Sequence, residues 1–265
     1  MRKLALISAA LLAGAAPAHA ATIIFTGGSS ATSGTAGNIR TFSGGGISVQ
    51  ASAFSYNSAT LGTGWLGDYS SGLGVTDGSE GNGGSNNSHT IDNVGQYNLV
   101  LLVFDRAVKI SSAVLTPFQI AAPAAADNDA WVSYGTLAGA FTSTPTPVAP
   151  GSGVWATLNT NGTNNAGNLG AGNLTTFSTA GHFANVWVIG AARPGFGAFD
   201  ANADGFKLGA ITVAAIPEPA TWALTIAGFA VVGAAPAAQA GAARRPRLSA
   251  LKRRGSAAAR ESVRG

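Results

Sequence analysis

The chain has 265 residues, 37 of them glycine and none cysteine, and only 10% are charged. Long salt-bridged helices are therefore disfavoured, and thiol nucleophiles, Cys-ligated zinc, iron–sulfur clusters and disulfides are excluded. The formal charge of +4 is carried by the two ends: residues 21–216 hold five basic side chains (Arg40, Arg106, Lys109, Arg193, Lys207) against nine acidic ones, a net charge of −4, which excludes nucleic acid as a partner.

Met1-Arg2-Lys3 is a short positive region, Leu4 to Ala16 is apolar, and Ala18-His19-Ala20 places small residues where a signal peptidase reads them. Residues 1–20 are thus expected to be a Sec-type signal peptide, cut after Ala20.

Residues 21–216 form the expected folding unit. Short apolar or alternating runs recur at Thr22 to Phe25, Ile47 to Phe54, Tyr97 to Phe104, Val108 to Leu115, Trp131 to Tyr134, Phe183 to Val188 and Phe206 to Val213, separated by Gly, Ser, Asn and Pro. This pattern predicts an all-β ectodomain, an antiparallel β-sandwich of jelly-roll-like type. Tyr97 to Phe104 reads as a central strand buried on both faces, with Lys109 to Leu115 its neighbour across a short turn at Asp105-Arg106-Ala107. Thr142 to Gly181, rich in Pro, Thr, Asn and Gly, reads as a long loop or a partly disordered stretch.

Uncharged sequence from Pro219 to Ala243 covers 25 residues, most apolar from Thr221 to Ala235. A single transmembrane helix is expected there, with Trp222 at the outer interface and Arg244, Arg245 and Arg247 stopping transfer on the cytoplasmic side. Residues 248–265 would be a basic, disordered cytoplasmic tail. Just before the span, Pro217-Glu218-Pro219 cannot enter a helix and presents an extended strand to a protease.

Pro217, Glu218 and Pro219, followed by Thr221, Trp222 and Ala223, an apolar span with Gly228-Phe229 and Val232-Gly233, and an Arg cluster, resemble the PEP-CTERM sorting signal over residues 217–247. The chain departs from that family's usual ending by carrying Pro236 within the span and a basic tail of 22 residues from Arg244. The resemblance implies recognition by an exosortase, processing, and delivery to the cell surface alongside exopolysaccharide. Gly72-Leu73-Gly74-Val75, then His89-Thr90-Ile91-Asp92-Asn93 and the strand at Tyr97, with Asp204-Gly205-Phe206-Lys207-Leu208 near the end, resemble the ectodomains of exosortase-dependent surface proteins. That second resemblance implies a β-sandwich and no defined activity.

Several patterns within the domain carry candidate chemistry. Asp200-Ala201-Asn202-Ala203-Asp204-Gly205 matches the opening of a calcium loop, but Ile211 stands where the twelfth-position carboxylate belongs, so a full EF-hand is excluded and a partial Ca2+ site at Asp200, Asn202 and Asp204 stays open. Asp77, Glu80 and Asp92, in Gly- and Asn-rich sequence, form a second candidate for Ca2+, against turn-capping loop acids. Gly62-Thr63-Gly64-Trp65-Leu66-Gly67 satisfies a dinucleotide fingerprint only formally, lacking the strand before and the helix after. Trp65 and Trp155, in Gly-rich surroundings, are candidates for stacking on sugar rings, whereas Trp187 reads as core. The expected function is non-enzymatic: an exported surface or matrix protein, transiently anchored and processed by an exosortase. The alternative is a secreted carbohydrate-binding or glycan-cleaving module.

Overall fold

The computed structural model describes residues 20–57, 59–80, 89–120, 126–158, 163–165, 173–177, 181–195 and 202–216. The expected signal peptide, Asp200, the Pro-Glu-Pro motif, the apolar span and the arginines after it lie outside the described residues. Among the described residues there are thirteen strands, β1 (Ala20–Ile24), β2 (Ile39–Gly44), β3 (Ile47–Tyr56), β4 (Leu61–Thr63), β5 (Trp65–Tyr69), β6 (Gly72–Thr76), β7 (Ile91–Asp92), β8 (Tyr97–Pro117), β9 (Ala130–Gly135), β10 (Thr163–Asn165), β11 (Leu174–Thr176), β12 (Ala184–Ala191) and β13 (Gly205–Ala215). Among the described residues a four-residue helix, α1 (Gly153–Ala156), interrupts them. The fold is all-β, and every named ladder is antiparallel.

The organising element is β8, 21 residues long. Its first half lies between β3, in register from Val49↔Phe104 to Tyr56↔Tyr97, and β12, from Val186↔Val103 to Gly190↔Leu99. Its second half lies between β13, from Ala215↔Val108 to Phe206↔Pro117, and β11 at Leu174↔Val114. The expected hairpin turn at Asp105-Arg106-Ala107 is therefore corrected: the chain runs straight through. No Gly, Asn or Pro stands there to reverse it. Asp105 and Arg106 instead face solvent, ion-paired at 3.2 Å, where the strand exchanges one set of partners for another. Register shifts in β12 between Ala184 and Val186, and in β13 at Leu208/Ala210 and Thr212/Val213, supply the bends that such a change of partners needs.

From these two halves the remaining strands extend outward. β3 carries β2 and β4 on its other edge, and β12 carries β9 and then β10. β13 carries β1, β7 and β6 on its other edge, and β6 carries β5.

Side chains alternate along the first half of β8, and both faces are dry, as its continuous apolar sequence predicts. Val100, Leu102 and Phe104 enter the main core with Ile23, Phe25, Val49, Leu73, Trp187, Phe206 and Ile211. Leu99, Leu101 and Val103 face the other way, into a second cluster with Phe54, Trp131, Val186 and Val188. What covers that second face is the opening of the Pro/Thr-rich stretch: Phe141, Val148, Trp155 and Leu158 pack on it, together with Leu137 just upstream. Two side chains fasten this cover with three hydrogen bonds. Asn185 accepts from Leu137 N at 3.0 Å and donates to Leu137 O at 2.8 Å, and Gln50 Nε2 donates to Thr142 O at 2.6 Å. Trp155 stands edge-on to Phe54 with ring centroids 4.7 Å apart. Residues 142–158 are thus a long loop, as their composition suggests, that straps the second face through Val148, Val154, Trp155 and Leu158.

Trp187 is fully buried, with its indole N–H donating to Ala184 O at 2.9 Å. Trp187→Ala should cost about 3–5 kcal/mol of unfolding free energy, and Trp155→Ala, which strips a half-buried cover, should cost less. Urea unfolding of the two variants checks the ranking, and an equal or reversed loss would contradict the assignment of Trp155 to the strap.

Candidate functional site

Two groups of polar side chains are buried where β13 begins. The first surrounds Lys207. Asp92 of β7 pairs with Gly205 of β13, so Asp92 and Lys207 project from one face, two positions apart along the ladder. Both are 3% exposed. Lys207 Nζ donates to His89 O at 2.6 Å and lies over the rings of Tyr69 (4.1 Å) and Phe118 (5.2 Å). Gly74 has to be glycine, because a Cβ there would collide with His89 O and Lys207 Nζ. Glu80 folds back on the loop: Oε2 accepts from Asp77 N at 2.7 Å and Oε1 from His89 N at 3.3 Å. Asp77 Oδ1 accepts from the N–H and the hydroxyl of Ser79, both at 2.6 Å, while Asp77 Oδ2 is buried and accepts no bond. Asp92 accepts from Thr90 Oγ1 at 2.7 Å and Val94 N at 3.0 Å.

Burial dominates the protonation of this group. It pushes Glu80 up to about 8, an effect the nearby charges of Asp92 and Asp77 reinforce and the Asp77 N–H and Lys207 oppose. Burial likewise raises Asp92 to about 7, against the hydrogen bonds from Thr90 and Val94. Lys207 is lowered to about 7 by burial, against the attraction of Glu80 and Asp92, and His89 to about 4 by burial and then by Lys207. Asp77, Glu80 and Asp92 lie near enough to influence one another's charge, but among the described residues their oxygens do not converge as a cation-binding set. Glu80 and Asp92 spend their oxygens on the backbone and hydroxyl groups of residues 77–94, and the three acids share their surroundings with an ammonium. This group ties a loop to β13.

The second group is at the edge of the same strand. Asp127 and Asp129, from the connection into β9, meet Asp204, which directly precedes β13. All three are buried, and one carboxylate oxygen from each lies within 4.8 Å of the others. The chain segments are stitched by backbone bonds: Gly205 N donates to Asp127 O at 2.8 Å, Phe118 N to Gly205 O at 2.7 Å, and Ala192 N to Asp129 O at 2.9 Å. Asn93 is the cross-link. It accepts from Asp204 N at 2.9 Å through Oδ1, and its amide donates to Asp204 Oδ2 at 2.7 Å and to the carbonyls of Ala192 and Asn202, both at 3.2 Å. Asp204 Oδ1 also accepts from Asp129 N at 3.0 Å. Asn128 is buried and donates to Leu115 O at 2.8 Å.

Of the calcium-loop pattern, then, Asp204 is gathered into an acidic site, Asn202 is exposed and bonded through its carbonyl, and Asp200 lies outside the described residues. Asp127 and Asp129 were not singled out from sequence. The readable signal was Asp127-Asn128-Asp129 immediately before an apolar strand; its pairing with a residue 75 positions later comes from topology. Such an arrangement of hard, buried oxygens suits a cation of the calcium type.

The aromatic candidates for sugar stacking are engaged in packing. Trp65 has Arg40 at 5.4 Å from its ring and Gly34 pressed so closely on the indole that a Cβ would meet ring carbons at 2.9 Å. Trp155 faces Phe54 and donates to Ala149 O at 3.2 Å. The Gly62-to-Gly67 string spans β4 and β5, with no helix after it, so it cradles no dinucleotide. His182 stacks on Tyr134, 5.0 Å between centroids. Comparison with models of known families, with characterised proteins and with solved structures finds no match.

The titrations around Lys207 set a pH profile. Folded Glu80 and Asp92 retain protons that the unfolded chain releases near pH 4.5 and 3.8, so stability should fall as pH rises to about 7–8. Lys207 is protonated to about pH 10.5 when unfolded but only to about 7 when folded, so stability should recover between those values. Urea midpoints measured from pH 4 upward should pass through a shallow minimum, and Glu80→Gln should flatten the falling limb. A falling limb unchanged in the variant would remove Glu80 from the account.

Proposed function

We propose that the chain is an exported, non-enzymatic surface protein: an antiparallel β-sandwich of jelly-roll-like type, freed by signal peptidase after Ala20 and processed at Pro217-Glu218-Pro219 by an exosortase. In this reading Thr221 to Ala235 holds the precursor in the membrane, Arg244, Arg245 and Arg247 stop its transfer, and the product is released to the cell surface in association with exopolysaccharide.

The observation that carries the reading is the coincidence of boundaries. β1 begins at Ala20, β13 ends at Ala215, and the compact unit runs Pro17–Pro217. The described strands thus lie within the interval between the two sequence addresses, and β13 ends two residues before Pro217. β13 is also held on both edges, by β8 and by β1, up to its last residues. A protease acting at residues 217–219 would meet an extended segment directly after a firmly anchored strand, and cutting there would leave the fold intact. The packing of Trp65 and Trp155 weighs against the rival reading of a carbohydrate-binding module that uses those rings.

The test is the mass of the C-terminal peptide of the mature protein, recovered from the producing cell with and without its exosortase. A chain ending near Pro219 only when the enzyme is present is the expected result. Persistence of the sequence through Gly265 in both cells would overturn the proposal in favour of permanent anchoring.

A further inference from the structure

Lys207, Asp92 and Glu80 converge on one dipeptide. Lys207 Nζ donates to His89 O at 2.6 Å, Glu80 Oε1 accepts from His89 N at 3.3 Å, and Asp92 Oδ2 accepts from Thr90 Oγ1 at 2.7 Å. The pairs Gly205↔Asp92 and Phe206↔Ile91 set Asp92 and Lys207 on the same face of the ladder, as diagonal neighbours within reach of a long side chain. Their charges act on one another, yet among the described residues Lys207 forms no ion pair. A buried lysine and a buried aspartate left unpaired are costly as ions, and burial drives both toward their neutral forms, a free amine and a carboxylic acid. Those are the forms that condense, because an uncharged amine is a nucleophile and a protonated carboxyl has a hydroxyl that can leave. Two donors hold the carboxyl, Thr90 Oγ1 on Oδ2 and Val94 N, at 3.0 Å, on Oδ1. Negative charge collects on those oxygens as nitrogen adds to Cγ, so the donors stabilise the addition. Lys207 is 3% exposed, with the rings of Tyr69 and Phe118 over its nitrogen, which keeps water from competing.

We propose that Lys207 and Asp92 join through an amide bond, an intramolecular cross-link that fastens β13 to β7. Nζ forms a bond to Cγ, the bond from Cγ to its hydroxyl breaks, and the hydroxyl leaves with an amine proton as one molecule of water. No oxidant or outside reactant enters. The nitrogen has only to swing from His89 O to the carboxyl held by the next residue, Thr90. Asp92 is the partner in preference to Glu80 because the ladder fixes its place beside Lys207, whereas Glu80 belongs to the loop. The bond gives a chain without cysteine a covalent tie between segments far apart in sequence, which restricts the unfolded state. It is independent of how either end is processed. Condensation takes Lys207 and Asp92 out of titration, so the pH profile given above belongs to the uncondensed chain. The condensed protein would lack the recovery of stability above about pH 7 that free Lys207 produces.

Mass spectrometry of the mature protein, purified from the producing cell and denatured, tests this. Its mass should be one water molecule below that of the sequence between its observed ends. Fragmentation should place that loss on a pair of peptides joined through Lys207 and Asp92. Lys207→Arg keeps a cation and removes the amine, so it should show the full mass and melt at a lower temperature than the wild type. A wild-type mass equal to the full sequence would overturn the proposal, whether or not the variant folds. So would a loss of water that persists in Lys207→Arg, or one that maps elsewhere, to Lys207 with Glu80 or to a succinimide at Asp77-Gly78.

Discussion

Everything in this fold hangs on one strand that belongs to both halves of the sheet. β8 runs through 21 residues without a break, flanked by β3 and β12 and then by β13 and β11. Its first half is apolar on both sides, so it fixes the main core and the second cluster together. A change at Leu101 is felt under the strap of residues 142–158, while a change at Leu102 is felt by Trp187 and Phe104. The absence of a turn-forming residue at Asp105-Arg106-Ala107 is what makes this sharing possible.

The second consequence concerns the far end of β8 and its partner β13. The long ladder between them brings the loops that precede β8, β9 and β13 to one place, and the buried polar side chains collect there. Lys207 answers the acids of the loop that ends at Asp92, and Asn93 binds Asp204 and two carbonyls at once. An interior otherwise built from Val, Leu, Ile and Phe tolerates these groups because nearly every one is bonded to backbone. Asp77 Oδ2, buried without a donor, is an exception. The same strand, β13, then ends at Ala215, so the element that organises the polar end also delivers the chain to Pro217.

How much of this could be read in advance follows from the kind of signal involved. Runs of period two or of continuous apolar residues revealed β1, β3, both halves of β8, β9, β12 and β13, because burial writes itself directly into those sequences. Short strands such as β4, β7 and β11 carry too few residues for any period, and β6, Gly72-Leu73-Gly74-Val75-Thr76, is half hidden by glycines needed for contact with Lys207 and His89. The continuity of β8 was missed because charged Asp105 and Arg106 resemble a turn. The loop from residue 142 was legible as a loop, but its packing was not, because Phe141, Val148 and Trp155, which fasten it, are scattered. Asp77, Glu80 and Asp92 were legible as a cluster from their spacing in one loop. Asp127 and Asp129 became partners of Asp204 only through the pairing of β13 with β8, which no local pattern encodes.

Amide hydrogen exchange along β8 tests the central claim most directly. If β8 is a single strand shared by both halves, the amides of residues 97–104 and 109–116 that face partner strands should exchange slowly and open together, with a common dependence on denaturant. If residues 109–116 open at markedly lower denaturant while residues 97–104 stay protected, the two segments are separate units, as in a hairpin, and the shared-strand account is wrong.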